Sequence, residues 1–336
     1  MNKKKKNMTP VLLALVILLA AGLGFMVWKV QRDADSEVIS EAGQSLHADH
    51  TSEYLTYQEK TYPVKRRMSS VLLIGTDNYV DDAKQNRIDA FYNYNQSDFL
   101  VILVFDHDNK TVLPLQINRD TMCAVPWLTV NGMVGGYVTE QIALAHTYGS
   151  GKDDSCENVV QAVRDLLYQA PVDHYLAFTM DAVPVINDLV GGVTVTLEDD
   201  VPAMGEEFVK GATVTLRGAD ALRFVRTREL NLNGNMTRMN HQRLYLASFT
   251  EAARAAAAKN QDLATQAFKA IDPFLTTNMT VNHISEIIDD LVNYEILPVI
   301  SPEGELVMGE EHVEFYADDA SVWECVYTAF CRKGTS

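Results

Sequence analysis

Phe99-Leu100-Val101-Ile102-Leu103-Val104-Phe105, then Asp106-His107-Asp108-Asn109-Lys110, then Thr111-Val112-Leu113-Pro114-Leu115-Gln116-Ile117 run consecutively in the chain. The first segment is an apolar run of strand length, the last alternates well enough to be another strand, and the polar pentapeptide between them predicts a hairpin turn. Upstream, Val71–Ile74 is a short apolar run ended by Gly75 and predicts a third strand. Downstream, Glu157–Tyr168 predicts a helix, Tyr175–Phe178 a strand, Ala182–Val190 a helix ended by Gly191-Gly192, and Val193–Leu197 a strand. The Gly-free, Ala-rich stretch from Thr237 to about Ala270 predicts a long helix or a helix pair, with further helices over Ile284–Val292 and Ser321–Phe330. Strands alternating with helices predict an α/β fold with a single mixed sheet flanked by helices.

The 336 residues carry 28 Lys+Arg against 45 Asp+Glu, with 47% hydrophobic content, enough for a sizeable core. Six of the basic residues precede the first acid, Asp33, so residues 33–336 hold 22 basic against 45 acidic residues, a net charge near −23. So acidic a body is repelled by a nucleic-acid backbone, and any phosphate it handles must meet a local basic site. The uncharged 18-residue run Val11–Trp28, at about 1.5 Å per residue, just crosses a hydrocarbon layer of roughly 30 Å and predicts one transmembrane helix. Four lysines before it and acids after it place residues 1–10 in the cytoplasm and the rest outside the cell membrane. A cleaved signal peptide or a buried helix is the alternative, but Ala20-Ala21-Gly22 makes a poor cleavage site. Residues 29–67 are polar with little periodicity and predict an extracellular stalk, leaving 68–336 as the extracellular domain. Cys123, Cys156, Cys325 and Cys331 permit three disulfide pairings without choosing among them, and their spacing does not suggest zinc.

The hairpin makes its two strands antiparallel, so Ser97-Asp98 at the start of one and Asn118-Arg119-Asp120 at the end of the other share one edge of the sheet. An antiparallel first strand would bring Gly75-Thr76-Asp77 to the same edge. Carboxylates gathered there repel one another, and a hard divalent cation such as Mg²⁺ is the usual compensation. A second cluster comprises Arg217, Arg223, Arg226, Arg228, Arg238 and Arg243, six arginines within 27 residues that hold two acids and no lysine. In an extended segment Arg226 and Arg228 would point the same way, while Arg238 and Gln242 share a face of the helix predicted from Thr237. Planar guanidinium forks suit the oxygens of a pyrophosphate.

In this order the motifs resemble the LytR-CpsA-Psr family of envelope phosphotransferases. They are Leu72-Leu73-Ile74-Gly75-Thr76-Asp77, Gln96-Ser97-Asp98, Asn118-Arg119-Asp120-Thr121, Ala143–Gly149, Val172-Asp173-His174-Tyr175, Asn187–Val193, Gly218–Arg228, and Arg238 with Gln242, spanning about residues 70–250. The resemblance implies that Asp77 and Asp98 hold Mg²⁺ while Arg119, Arg226, Arg228, Arg238 and Gln242 grip the pyrophosphate of a polyprenyl-linked glycan. It implies transfer of a phosphoglycan of the teichoic acid or capsule type from its lipid carrier to peptidoglycan, with Asp98 or Asp120 accepting the proton of the attacking sugar hydroxyl. Arg119 would steady the charge of the transition state. Three positions depart from the family pattern: Gln96 and His241 stand where arginines are usual, and Asn118 replaces a proline. Arg87, Arg223 or Arg243 are the candidate substitutes, and the alternative function is a catalytically slow scaffold that holds polyprenyl phosphate.

Overall fold

The computed structural model describes residues 54–77, 92–129, 131–228, 231–260, 263–310 and 312–332. The expected cytoplasmic tail, transmembrane helix and first part of the stalk lie outside these residues, as does Arg87. Among the described residues no helix is long and apolar enough to cross a membrane.

The chain opens with strands β1 (Tyr54–Tyr57), β2 (Lys60–Pro63), β3 (Met68–Thr76), β4 (Ser97–Asp106), β5 (Thr111–Ile117), β6 (Met122–Leu128) and β7 (Val134–Gln141). A 3-10 segment (Ile142–Thr147) leads to helix α1 (Asp153–Leu166), β8 (His174–Thr179), α2 (Ala182–Leu189), β9 (Val193–Thr196), β10 (Thr213–Leu216) and α3 (Ala219–Arg226). The remainder is α4 (Gly234–Ala257), α5 (Leu263–Ile271), β11 (Leu275–Thr277), α6 (Val281–Asn293), β12 (Glu295–Ile296), β13 (Gly304–Met308), β14 (Val313–Ala317) and α7 (Asp319–Phe330).

The central sheet has the order β11-β8-β3-β4-β5-β12, with β3–β4 and β4–β5 antiparallel and β3–β8 parallel. It is mixed, as expected. Every residue of β3 and β4 is buried, which explains why those strands read as continuous apolar runs rather than alternating ones. One face (Leu73, Phe99, Val101, Leu103) packs against α2 to α6; the other (Leu72, Ile74, Leu100, Ile102) packs against α1 and α7. Helices thus cover both faces.

Two expectations are corrected. The stalk does not reach residue 67: β1 and β2 form a hairpin whose Leu55 is buried, and Tyr57 stacks on Trp323 of α7 with ring centroids 4.6 Å apart. Its turn is Gln58-Glu59, both at positive φ (47° and 64°), where Asn-Gly is the recognisable signal. Nor is the main sheet the only one. Val193–Thr196 lies off it in a ribbon with β10, burying Val193 and Val195 while Thr194 and Thr196 face solvent. β6–β7 and β13–β14 are further two-stranded ribbons. The predicted long helical stretch is a pair, α4 and α5.

Candidate functional site

The three strand ends meet. Thr76 of β3 pairs with Ser97 of β4 across a register shift at Gly75, which carries Asp77 to the edge where Asp98 sits, and Asp77 N donates to the Gln96 carbonyl. Leu100 opposite Ile117 brings Arg119 and Asp120 to the same place. Arg119 Nη1 pairs with Asp98, and its Nε lies 3.4 Å from Asp120 Oδ1. Arg238 Nη1 is 3.3 Å from Asp98 Oδ1, and Arg226 Nη2 is 2.9 Å from Asp77 Oδ1. Arg228 lines the adjoining cleft of about 430 Å³ together with Gln96, Arg119, Asp120 and Gln141. Asp77 and Asp98 therefore meet Arg119, Arg226 and Arg238 at one sheet edge, and Arg119, Arg228 and Asp120 line the cleft beside it, of a size suited to a small ligand.

Local sequence explains how the arginines arrive there. Asp188 Oδ1 accepts the Gly218 amide ahead of α3, and Asn187 binds both the Leu216 carbonyl and the Tyr245 hydroxyl of α4. The Asn187-Asp188 motif thus ties the arginine-bearing helices to β10. Contrary to the extended reading, Arg226 closes α3, and only at Thr227 does the backbone turn extended toward Arg228. On the other side, the 3-10 segment anchors the approach to Asp98: Asn93 Nδ2 donates to the His146 carbonyl, His146 Nδ1 donates to the Asn95 carbonyl, and Ser97 Oγ donates to the Ala143 carbonyl. Burial lowers the pKa of His146, which keeps it neutral for that role.

The acids titrate apart. Burial, then the charge of Asp98, raises the pKa of Asp77. Burial also opposes ionisation of Asp98, but Arg119 and Arg238 outweigh it and hold that carboxyl below its ordinary value. Asp120 is raised by burial in spite of the nearby arginines. Two adjacent carboxyls pushed in opposite directions are the mark of a pair that shares a proton or a cation. Asp77 Oδ1 is buried and makes no hydrogen bond, its ion pair with Arg226 being poorly aligned. A carboxylate oxygen so placed fits Mg²⁺, which takes one or two protein carboxylates and fills its remaining positions from phosphate and water. Among the described residues no cluster of three or more acidic, His or Cys side chains offers an all-protein metal cage.

Gln96 and Asn118 brace the arginines. Gln96 Oε1 accepts from Arg119 Nη2. Asn118 Oδ1 accepts from Asn235 Nδ2, and Asn235 Oδ1 accepts from Arg238 Nη2 at 2.6 Å. Asn235 is buried, so Asn235→Ala strands a guanidinium nitrogen of Arg238, while Asn118 Oδ1 keeps the Asp120 amide, and is expected to cost about 1–3 kcal/mol in urea unfolding. Sequence reading missed Asn235 altogether, because only the fold sets it opposite Asn118.

Other expected residues lie elsewhere. Gln242 donates to the Val225 carbonyl at 3.3 Å and lines an apolar cavity with Leu73, Phe99, Phe178, Val183 and Ile186. Gln242 is not among the residues that line the cleft of Arg119 and Arg228. His241 stacks on Phe224 at 4.8 Å, away from the cleft. Arg223 is exposed and binds Asp220 and the Ala203 carbonyl, while Arg243 donates to Gln116 at 2.6 Å. Neither lines the cleft. The four cysteines are free thiols, with burial raising Cys123 and Cys156 to about 12.

Comparison with known proteins places this geometry. The chain is 24% identical over 327 residues, covering 94% of this chain and 75% of the relative, to the polyisoprenyl-teichoic acid–peptidoglycan teichoic acid transferase TagV of Bacillus subtilis (strain 168). It is 28% identical over 241 residues, covering 71% and 69%, to the TagU transferase of Bacillus cereus (strain AH820). The solved structure of TagT bound to LIIa-WTA shares the fold, with a TM-score of 0.58 at 20% identity over 88% of this chain and 96% of that one. The LytR_cpsA_psr family profile matches residues 34–301. With most of its length inside that match, the chain belongs to the LytR_cpsA_psr family.

Proposed function

We propose that the protein transfers a phosphoglycan from a polyprenyl pyrophosphate carrier to peptidoglycan, anchored in the cell membrane by residues 11–28 with its catalytic domain outside. The convergence of Arg119, Arg226 and Arg238 on Asp77 and Asp98, with Arg228 lining the cleft beside them, carries this reading. In a body near −23, so local a cationic cradle suits a diphosphate. The relatives' names, which specify a polyisoprenyl-linked donor and a peptidoglycan acceptor, support it.

In this mechanism Arg119, Arg226, Arg228 and Arg238 orient the diphosphate and neutralise charge as it develops. Asp77 and Asp98 would hold Mg²⁺, whose contribution when bound is further neutralisation of the phosphate oxygens. The acceptor hydroxyl oxygen forms a new P–O bond to the glycan-bearing phosphorus, the bridging P–O bond breaks, and polyprenyl phosphate leaves. Of the two candidate bases Asp120 is better suited. Its raised pKa gives it more basicity than Asp98, whose Oδ1 is committed to Arg119 and Arg238. Gln141 Nε2, 3.1 Å from Asp120 Oδ1, orients that carboxyl.

The apolar cavity beside Gln242 is the natural place for the prenyl tail. Val183→Trp fills it and is expected to slow turnover of a long-chain donor about tenfold while leaving a donor of two or three isoprene units unaffected. Equal effects on both donors would move the tail elsewhere. The decisive assay for the function supplies the full-length protein in detergent with Mg²⁺ and a polyprenyl pyrophosphate-linked glycan. Repeated turnover is expected. Stoichiometric binding without product would favour the scaffold reading, which Gln96 and His241 at arginine positions support.

A further inference from the structure

With the arginines assigned to the diphosphate and the apolar cavity to the tail, one wall of the cleft has no occupant. It consists of Gln141, at the base of the β6–β7 ribbon, with Met308, His312 and Val313 of the β13–β14 hairpin. Gln141 links the two ribbons, donating to Asp120 and, at 2.7 Å, to the Val313 carbonyl. Strand alternation puts Thr139 and Tyr137 on the same ribbon face as Gln141, running outward from the cleft. At roughly 3.4 Å per residue Tyr137 stands about 14 Å from Gln141. Tyr137 is 54% exposed and Thr139 is also exposed. The ribbon carries no charge across the 19 residues Thr121–Thr139, in a chain where 22% of residues are charged.

The far end of the ribbon is built to hold its shape. Gly135 and Gly136 together oppose Trp127 at a bulge, and a Cβ on Gly135 would sit 2.3 Å from the indole. The bulge fixes the ribbon's twist and keeps Trp127 on the opposite face from Tyr137.

We propose that the Gln141–Thr139–Tyr137 face is the docking groove for the acceptor, a neutral glycan strand whose sugar ring stacks on Tyr137 and whose hydroxyl reaches Asp120. The inference rests on the transferase reading above. The exposed ring of Tyr137 followed by the exposed Thr139 hydroxyl matches the alternating apolar and polar faces of a sugar chain, while Gln141 holds Asp120 at the end of that face. Outside the cleft, the uncharged stretch Thr121–Thr139 rules against recognition of an anionic polymer by charge along the ribbon, and a membrane-inserting face would not carry Thr139 and Gln141.

The test uses full-length protein in detergent and, as probe, a hexamer of β-1,4-linked N-acetylglucosamine. Tyr137→Ala is expected to weaken hexamer binding about tenfold and Tyr137→Phe to restore most of it, while Trp127→Ala stays within about twofold. In the transfer assay Tyr137→Ala should raise the acceptor KM and leave kcat unchanged. Undecaprenyl phosphate binding, measured in parallel, should be the same in all four proteins; its absence from the unsubstituted protein would sink the transferase reading instead. Hexamer binding that is absent in the unsubstituted protein, unchanged by Tyr137→Ala, or lost equally on Trp127→Ala would overturn the groove.

Discussion

Arg119→Ala is expected to slow phosphoglycan transfer about 10²–10³-fold, the cost of removing one preorganised charge partner of the transition state. It is also expected to lower the unfolding free energy by about 3–5 kcal/mol, because Asp98 would keep its charge in a buried position with only Arg238 left beside it. The two effects have different origins and can be separated. Adding Asp98→Asn to Arg119→Ala removes the stranded charge, so urea unfolding should return most of the lost stability while turnover stays low. A double variant as unstable as Arg119→Ala would show that the ion pair is not what the fold leans on.

Asp77→Asn is expected to weaken Mg²⁺ binding about a hundredfold, since the remaining protein carboxylate cannot hold the ion alone. The pH dependence gives a sharper readout. Burial and the charge of Asp98 raise the folded-state pKa of Asp77, so in the metal-free protein a proton competes for that oxygen. Mg²⁺ affinity should therefore fall about tenfold per unit as pH drops through the raised value, and the slope should vanish in Asp77→Asn. The stability signs are opposite for the two acids. Asp98, held low by Arg119 and Arg238, contributes stability above its unfolded pKa that is lost as pH falls through the folded value. Asp77, held high, stabilises the fold when protonated and loses that contribution as pH rises through its folded value. A flat affinity profile from titration calorimetry across the acidic range would remove Asp77 from the metal site.

The sequence carried the strand-edge part of the site because antiparallel pairing alone forces Asp98 and Arg119 together; no tertiary knowledge beyond the hairpin is needed. It carried Arg226 and Arg228 as a charge cluster while mistaking the local backbone, since a helix ending between two arginines leaves no Gly or Pro to mark it. Gln96 and Asn118 read as losses for the opposite reason. Their value lies in contacts to Arg119 and Asn235 that sequence spacing does not reveal. The β6–β7 ribbon escaped notice because Pro126 and the Gly135-Gly136 bulge break the alternation that would announce strands. The β1–β2 hairpin escaped because its turn lacks turn residues.

The seam joining Pro63–Lys65 to Phe330–Arg332 has a bearing on how the enzyme stands in its surroundings. Lys65 N donates to the Phe330 carbonyl and Arg332 N to that of Pro63, so the front and rear of the folded unit are sewn into one corner. β3 runs from that corner to the acids, a separation of roughly 27 Å. The membrane anchor proposed for residues 11–28 would therefore join the domain at the end of β3 remote from the acids.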